Sequence, residues 1–191
     1  RKITAVLAAA VLGASTLTLT GCGSKSDDKE IKVGVCAGPY QDMFKEAIQP
    51  KLEEKGYKVD YVEFSDYVQP NNALAEGDVN VNIFQHSTYL KKFCEDHSLD
   101  LTAITEVPTA SMGIFSEKFD SLDAITDGAE VAIPNDDTNL SRSLRVLAQA
   151  GVLTLDPDVD AAKATVDDIA ENPKNLTFTE VNAEVLTSVL D

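Results

Sequence analysis

Phe84-Gln85-His86, with Tyr89 one helical turn further on and Tyr67 upstream, place aromatic and polar side chains where two strands should end. Asn139 and Arg142, three residues apart, fall on one face of a later helix. The carboxyl ends of strands in an open α/β sheet are where such folds hold ligands. A guanidinium donates two parallel hydrogen bonds and is the natural clamp for a carboxylate. Helix N-terminal amides around Asp137 to Asn139 would add positive potential to the same place. The chemistry these residues suit is non-covalent capture of a small anionic or zwitterionic ligand.

Sets that could make or break bonds are weak by comparison. Neither G-x-S-x-G nor H-E-x-x-H occurs. Cys94 and His97 stand one turn apart, with His86 as a distant third zinc ligand, a poor match to any closed site. Asp156-Pro157-Asp158-Val159-Asp160 opens like a calcium loop, but Ala161 stands where Gly is needed and Asp167 where Glu is needed. Ser141 and Ser143 flank Arg142 without an accompanying histidine. No catalytic residue, metal site or cofactor is therefore expected, and the chain does not read as an enzyme.

Alternating strand and helix patterns must position the ligand set. Residues 31–35 read as a strand ended by Ala37-Gly38-Pro39, and apolar residues from Tyr40 to Lys55 recur at helical spacing. A strand over 58–64, a helix over 68–76, a strand over 79–84 and a helix over 87–96 follow. Val107 to Ser111 interrupts the pattern, and a second series starts with strands over 112–115 and 130–133. A helix over 139–150 comes next, then a short helix over 166–171, a strand over 176–179 and a helix over 183–190. The order predicts an α/β protein with lobe 1 over 31–108 and lobe 2 over 109–191.

The chain of 191 residues carries 32 acidic against 16 basic residues, a formal charge of −16. A field of that sign repels nucleic acid and anionic membrane surfaces. Membrane attachment therefore needs a span or a covalent anchor. Arg1 and Lys2 precede an uncharged run over 3–20 that approaches the length of a membrane span, yet Leu19-Thr20-Gly21-Cys22 resembles a bacterial lipobox. Residues 1–21 are thus expected to be a signal peptide, Cys22 the lipidated residue, and 22–30 a flexible tether. The implied location is the cell envelope, on the outer face of the cytoplasmic membrane or the periplasmic side if two membranes are present. Export would permit a disulfide between Cys36 and Cys94, but no spacing rule says that they meet.

Six blocks, in order, resemble the methionine-binding lipoprotein family (MetQ/NlpA), the substrate-binding components of ABC importers. They are Lys32 to Val35 with Gly38-Pro39; Val62 to Asn71; Phe84-Gln85-His86; Ala132 to Asp136; Thr138-Asn139 with Arg142; and Glu171 to Leu176. The resemblance implies a two-lobed, type 2 periplasmic-binding-protein-like fold. It also implies that Tyr67, Phe84, His86 and Tyr89 surround a thioether side chain while Arg142 and Asn139 hold the α-carboxylate. A polarisable thioether packs well on aromatic rings, which agrees with that assignment. Implied partners are L-methionine or a related amino acid, permease and ATPase subunits, and the membrane through the lipid on Cys22. The alternative is a surface lipoprotein that binds ligand for signalling or adhesion without transport. Cys36-Ala37 departs from the family's usual Thr-Pro type of pair. Family members also continue beyond Asp191, so the fold is expected to be C-terminally incomplete, with an exposed sheet edge, weak binding and poor solubility.

Overall fold

The computed structural model describes residues 29–190. The expected signal peptide, the lipobox cysteine Cys22 and most of the tether lie outside the described residues. The first unit is a three-stranded parallel sheet in the order β2-β1-β3, with β1 over Glu30–Cys36, β2 over Lys58–Phe64 and β3 over Val81–Ile83. Val33 and Val35 of the central strand are fully buried, as expected of a parallel strand covered on both faces. The register sets Cys36 opposite Phe64 and Val35 opposite Ile83. The carboxyl ends of all three strands therefore open at one edge, where Tyr67, Phe84 and His86 follow.

Helices α1 (Pro39–Met43) and α2 (Gln49–Glu54) are joined by a π-helical turn over Phe44–Ile48. Pro50 has no N–H to donate into the preceding turn, and the Gln49 N–H reaches back five residues to the Phe44 carbonyl. The turn keeps Phe44 buried against the sheet with Ile48 and Leu52 packed beside it. Helix α3 covers Gln69–Glu76 and ends on Gly77, whose φ of 83° is a left-handed C-cap. Helix α4 covers Ser87–His97.

A buried amide network ties α3 to the end of β3. Asn71 is fully buried; its Nδ2 donates to Gln85 Oε1 at 2.9 Å, and its Oδ1 accepts from Gln85 Nε2 at 2.7 Å and Asn82 Nδ2 at 3.0 Å. This holds the Phe84-Gln85-His86 turn in place. Asn71→Ala should strip the Gln85 Oε1 of its donor and leave Gln85 Nε2 and Asn82 Nδ2 only their bonds to Asn82 Oδ1 and the Pro70 carbonyl, at a cost of about 1–3 kcal/mol. Urea denaturation should show a lower midpoint with an unchanged slope.

The second unit pairs β4 (Glu130–Pro134) with β7 (Thr177–Val181) in parallel and β5 (Thr154–Leu155) with β6 (Ile169–Glu171) antiparallel. Helix α5 (Asp137–Gln149) buries Leu140, Leu144 and Leu147 at i, i+4 and i+7. With Ile133, Val152, Leu153, Ala164 and Leu176 they form one core.

Several expected elements differ. The strand expected over 112–115 is absent: residues 101–116 form no helix or strand. Alternating apolar residues make a strand only where another backbone completes the ladder, and among the described residues none does. Ile104 and Phe115 are consequently 83% and 75% exposed. The helix expected over 166–171 is a single 3-10 turn, Val166–Asp168, because Ile169–Glu171 pairs with β5 instead. Residues Ala183–Val189 are 3-10 rather than α-helical; Asn182 supplies no side-chain cap, and Val185, Thr187 and Val189 are stiff, β-branched residues of low helix propensity. Helix α5 begins two residues before Asn139, because Asp136 is its cap.

Candidate functional site

Three aromatic side chains meet at the edge where the first sheet opens. Tyr67 lies 5.8 Å from Phe84 and 6.3 Å from Tyr89, ring centre to ring centre, and Phe84 lies 6.1 Å from Tyr89, edge-on. Cys36 and Phe93 pack behind them. The Tyr89 hydroxyl donates to the Tyr67 backbone carbonyl at 3.1 Å, fixing the Tyr89 ring relative to the loop after β2. Burial, and then the Glu184 carboxylate, push the Tyr67 phenol up to about 12. Burial, and then Asp136, raise Tyr89 as well. Both therefore remain hydroxyl donors throughout the neutral range.

His86 joins this cluster to the second unit. It caps α4, its Nδ1 accepting the Tyr89 backbone N–H at 3.0 Å, so the ring proton must sit on Nε2. Nε2 then donates to Asn139 Oδ1 at 3.2 Å. Asn139, 9% exposed, turns its Nδ2 to both Asp136 oxygens at 3.1 and 3.0 Å, and its backbone N–H donates to Asp136 Oδ1 at 2.9 Å. The Asp136 carboxylate thus occupies part of the helix N-terminal potential that the sequence suggested for a ligand. A second bridge crosses nearby: Lys92 of α4 reaches Asp96 at 2.5 Å and Asp137 of α5 at 3.3 Å.

Arg142 shares a groove of about 270 Å³ with His86, Thr88, Thr109 and Thr138. Its Nη2 donates to the Ala110 carbonyl at 3.1 Å, which leaves four of its five N–H donors for other partners. A neighbouring cleft of about 210 Å³ is lined by Tyr89, Phe93 and Asp136 among others. Of the six residues singled out in the sequence, Tyr67, Phe84 and Tyr89 form one cluster and His86 and Asn139 are bonded directly. Arg142 lies on the His86 groove. The arrangement can seat an apolar side chain on aromatic faces and a carboxylate on a guanidinium.

Three residues near the site escaped the sequence reading. Tyr40 and Ala110 are bonded to each other at 3.0 Å, and the Glu184 carboxyl, raised chiefly by burial, acts on Tyr67, Tyr89 and Cys36. Each lies far along the chain from its partners, so no local spacing could have announced them. The other sequence sets stand apart. His97 stacks on Phe93 at 4.2 Å, and Asp156 and Asp160 accept the backbone N–H groups of Asp158 and Ala162 in local turns. No group of three metal-binding side chains is formed among the described residues.

Cys36 and Cys94 are both free thiols. Burial first, and then the Glu184, Asp66 and Glu63 carboxylates, push Cys36 up to about 12. Its thiolate is therefore scarce well above neutral pH. In a Cys22→Ala variant at pH 8, iodoacetamide should label the half-buried Cys94 in the native state and Cys36 only after unfolding, as counted by intact mass.

The sequence profile of the NlpA lipoprotein family matches residues 31–191. A probable D-methionine-binding lipoprotein MetQ of Vibrio cholerae is 42% identical over 179 residues, covering 93% of this chain and 66% of the relative. A nutrient-binding protein of Burkholderia cenocepacia, solved bound to methionine, is 39% identical with a TM-score of 0.78, covering 84% of this chain and 67% of that one. The periplasmic substrate-binding protein of an ABC transporter from Coxiella burnetii is 37% identical with a TM-score of 0.77, over the same shares. The fold is that of the periplasmic substrate-binding proteins, and the chain belongs to the NlpA lipoprotein family. It spans about two thirds of the length of these relatives.

Proposed function

We propose that the chain is a substrate-binding lipoprotein of an ABC importer that captures methionine or a related amino acid and delivers it to the permease, without covalent chemistry. Lobe 1 over 31–108 and lobe 2 over 109–191 close on the ligand, and the lipid on Cys22 holds the protein at the outer face of the cytoplasmic membrane or its periplasmic equivalent. The observation that carries the reading is the cluster of the Tyr67, Phe84 and Tyr89 rings at the carboxyl ends of the first sheet's strands, joined through the Tyr89–His86 ring contact at 6.3 Å to the groove that His86 and Arg142 line. Rings suit a thioether, Arg142 suits the carboxylate, and closure between lobes excludes water and strengthens both. Methionine in the Burkholderia relative agrees with this choice.

Calorimetric titration of methionine into the mature product of the open reading frame, with Cys22→Ala, tests the reading. Saturable heat at one site per chain is the expected result. No heat with methionine, beside heat with another amino acid or a short peptide, would replace the ligand and retain the receptor role.

A further inference from the structure

Ala110 is fastened on two sides. Its N–H donates to the Tyr40 hydroxyl at 3.0 Å, and its carbonyl accepts from Arg142 Nη2 at 3.1 Å. The first bond spans 70 residues of sequence and the second 32. One exposed residue of the connecting segment thereby links the start of α1 to the middle of α5. Among the described residues, the only other hydrogen bonds from 101–116 to the rest of the chain are the Ser143 hydroxyl to Met112 Sδ at 3.6 Å and the local turn in which Ser116 Oγ accepts the Lys118 and Phe119 N–H groups. This segment has no ladder of its own, so Tyr40 is its one polar hold on the first unit.

We infer that Tyr40 is a positioning residue for Arg142: by anchoring Ala110 it fixes the carbonyl on which one guanidinium nitrogen rests, and so aims the remaining donors into the groove. This rests on the reading of Arg142 as the carboxylate clamp. The local sequence supports the placement. Gly38 takes φ of 134°, a value that L side chains rarely adopt, and Pro39 then starts α1, which sets Tyr40 in the first turn just beyond the end of β1. Thr109, beside Ala110, lines the groove with Arg142, so the anchored segment is a wall of the same site. A clamp is selective only when its fork is held; a guanidinium on a loose support loses orientation before it loses charge.

The test compares Tyr40→Phe with the parent and with Arg142→Ala, titrating methionine and methioninamide, whose carboxylate is replaced by a neutral amide. Tyr40→Phe should keep the parent's unfolding midpoint, bind methionine about three- to tenfold more weakly, and bind methioninamide as the parent does. In the ligand-free protein, the ¹⁵N relaxation of the Arg142 Nε–H should report a more mobile side chain in Tyr40→Phe. Equal losses for both ligands, or unchanged methionine affinity with unchanged Arg142 mobility, would overturn the inference. If the parent itself binds no methionine, the receptor reading for that ligand fails, and the Arg142 relaxation alone decides: a rise in mobility upholds the positioning role, and none refutes it.

Discussion

Arg142→Ala is expected to weaken methionine binding by about 2–5 kcal/mol, the range for removing one partner of a hydrogen-bonded charge pair in a desolvated site. That is a loss of roughly 30-fold to several thousand-fold in affinity. The size follows from the surroundings: the groove holds Arg142 with His86 and three threonines, while Asp136 is already engaged by Asn139 and Thr138. No other cation in the groove except Arg145 could take over the carboxylate, and Arg145 lies on the exposed side of α5. Arg142→Lys should recover only part of the loss, since an ammonium restores the charge but not the two-pronged geometry. Titration of the three proteins under one salt condition is the check. Parent-like binding by Arg142→Ala would remove the clamp from the site and shift attention to Arg145. The unfolding midpoint should move little, because Arg142 makes one exposed hydrogen bond in the fold.

Leu144→Ala should act in the opposite way, on stability first. Leu144 is fully buried in the second unit, between Leu140 and Leu147 on α5 and against the core that includes Ile133 and Leu153. Truncating it removes buried methyl groups and opens a cavity that the surrounding strands fill only partly, a cost of about 2–5 kcal/mol. Alanine has the higher helix propensity, so α5 itself should persist and the loss belongs to packing. Urea denaturation followed by circular dichroism measures it, with a lower midpoint as the expected outcome. Leu144→Met, close in volume, should cost less than about 1.5 kcal/mol. If alanine were as mild as methionine, the second unit would not be packed around this helix. Because α5 also carries Asn139 and Arg142, ligand affinity should fall in Leu144→Ala only where the unfolded fraction becomes appreciable.

Much of this was legible in the residues alone. The alternation of β1 and β2 and the helices at α4 and α5 are local patterns, and local patterns survive into the fold because each strand or helix must bury one face. The residue types at Tyr67, Phe84, His86, Tyr89, Asn139 and Arg142 likewise stated what chemistry a site could hold. The six family blocks added the order in which those residues belong together. Where local patterns lacked partners they misled. Residues 112–115 are apolar enough for a strand, yet a strand exists only through a neighbour's hydrogen bonds. Residues 183–189 have helical spacing, yet no cap and too many β-branched side chains to hold an α-helix.

What tertiary structure alone decided is which distant residues touch. His86 meets Asn139 across 53 residues, the Asp136 carboxylate claims the Asn139 amide at the start of α5, and Ala110 joins Tyr40 to Arg142. The chain by itself specified the faces to be buried and the side chains able to bind. Which of those side chains keep free donors depends on contacts among residues far apart in sequence, each of them weak.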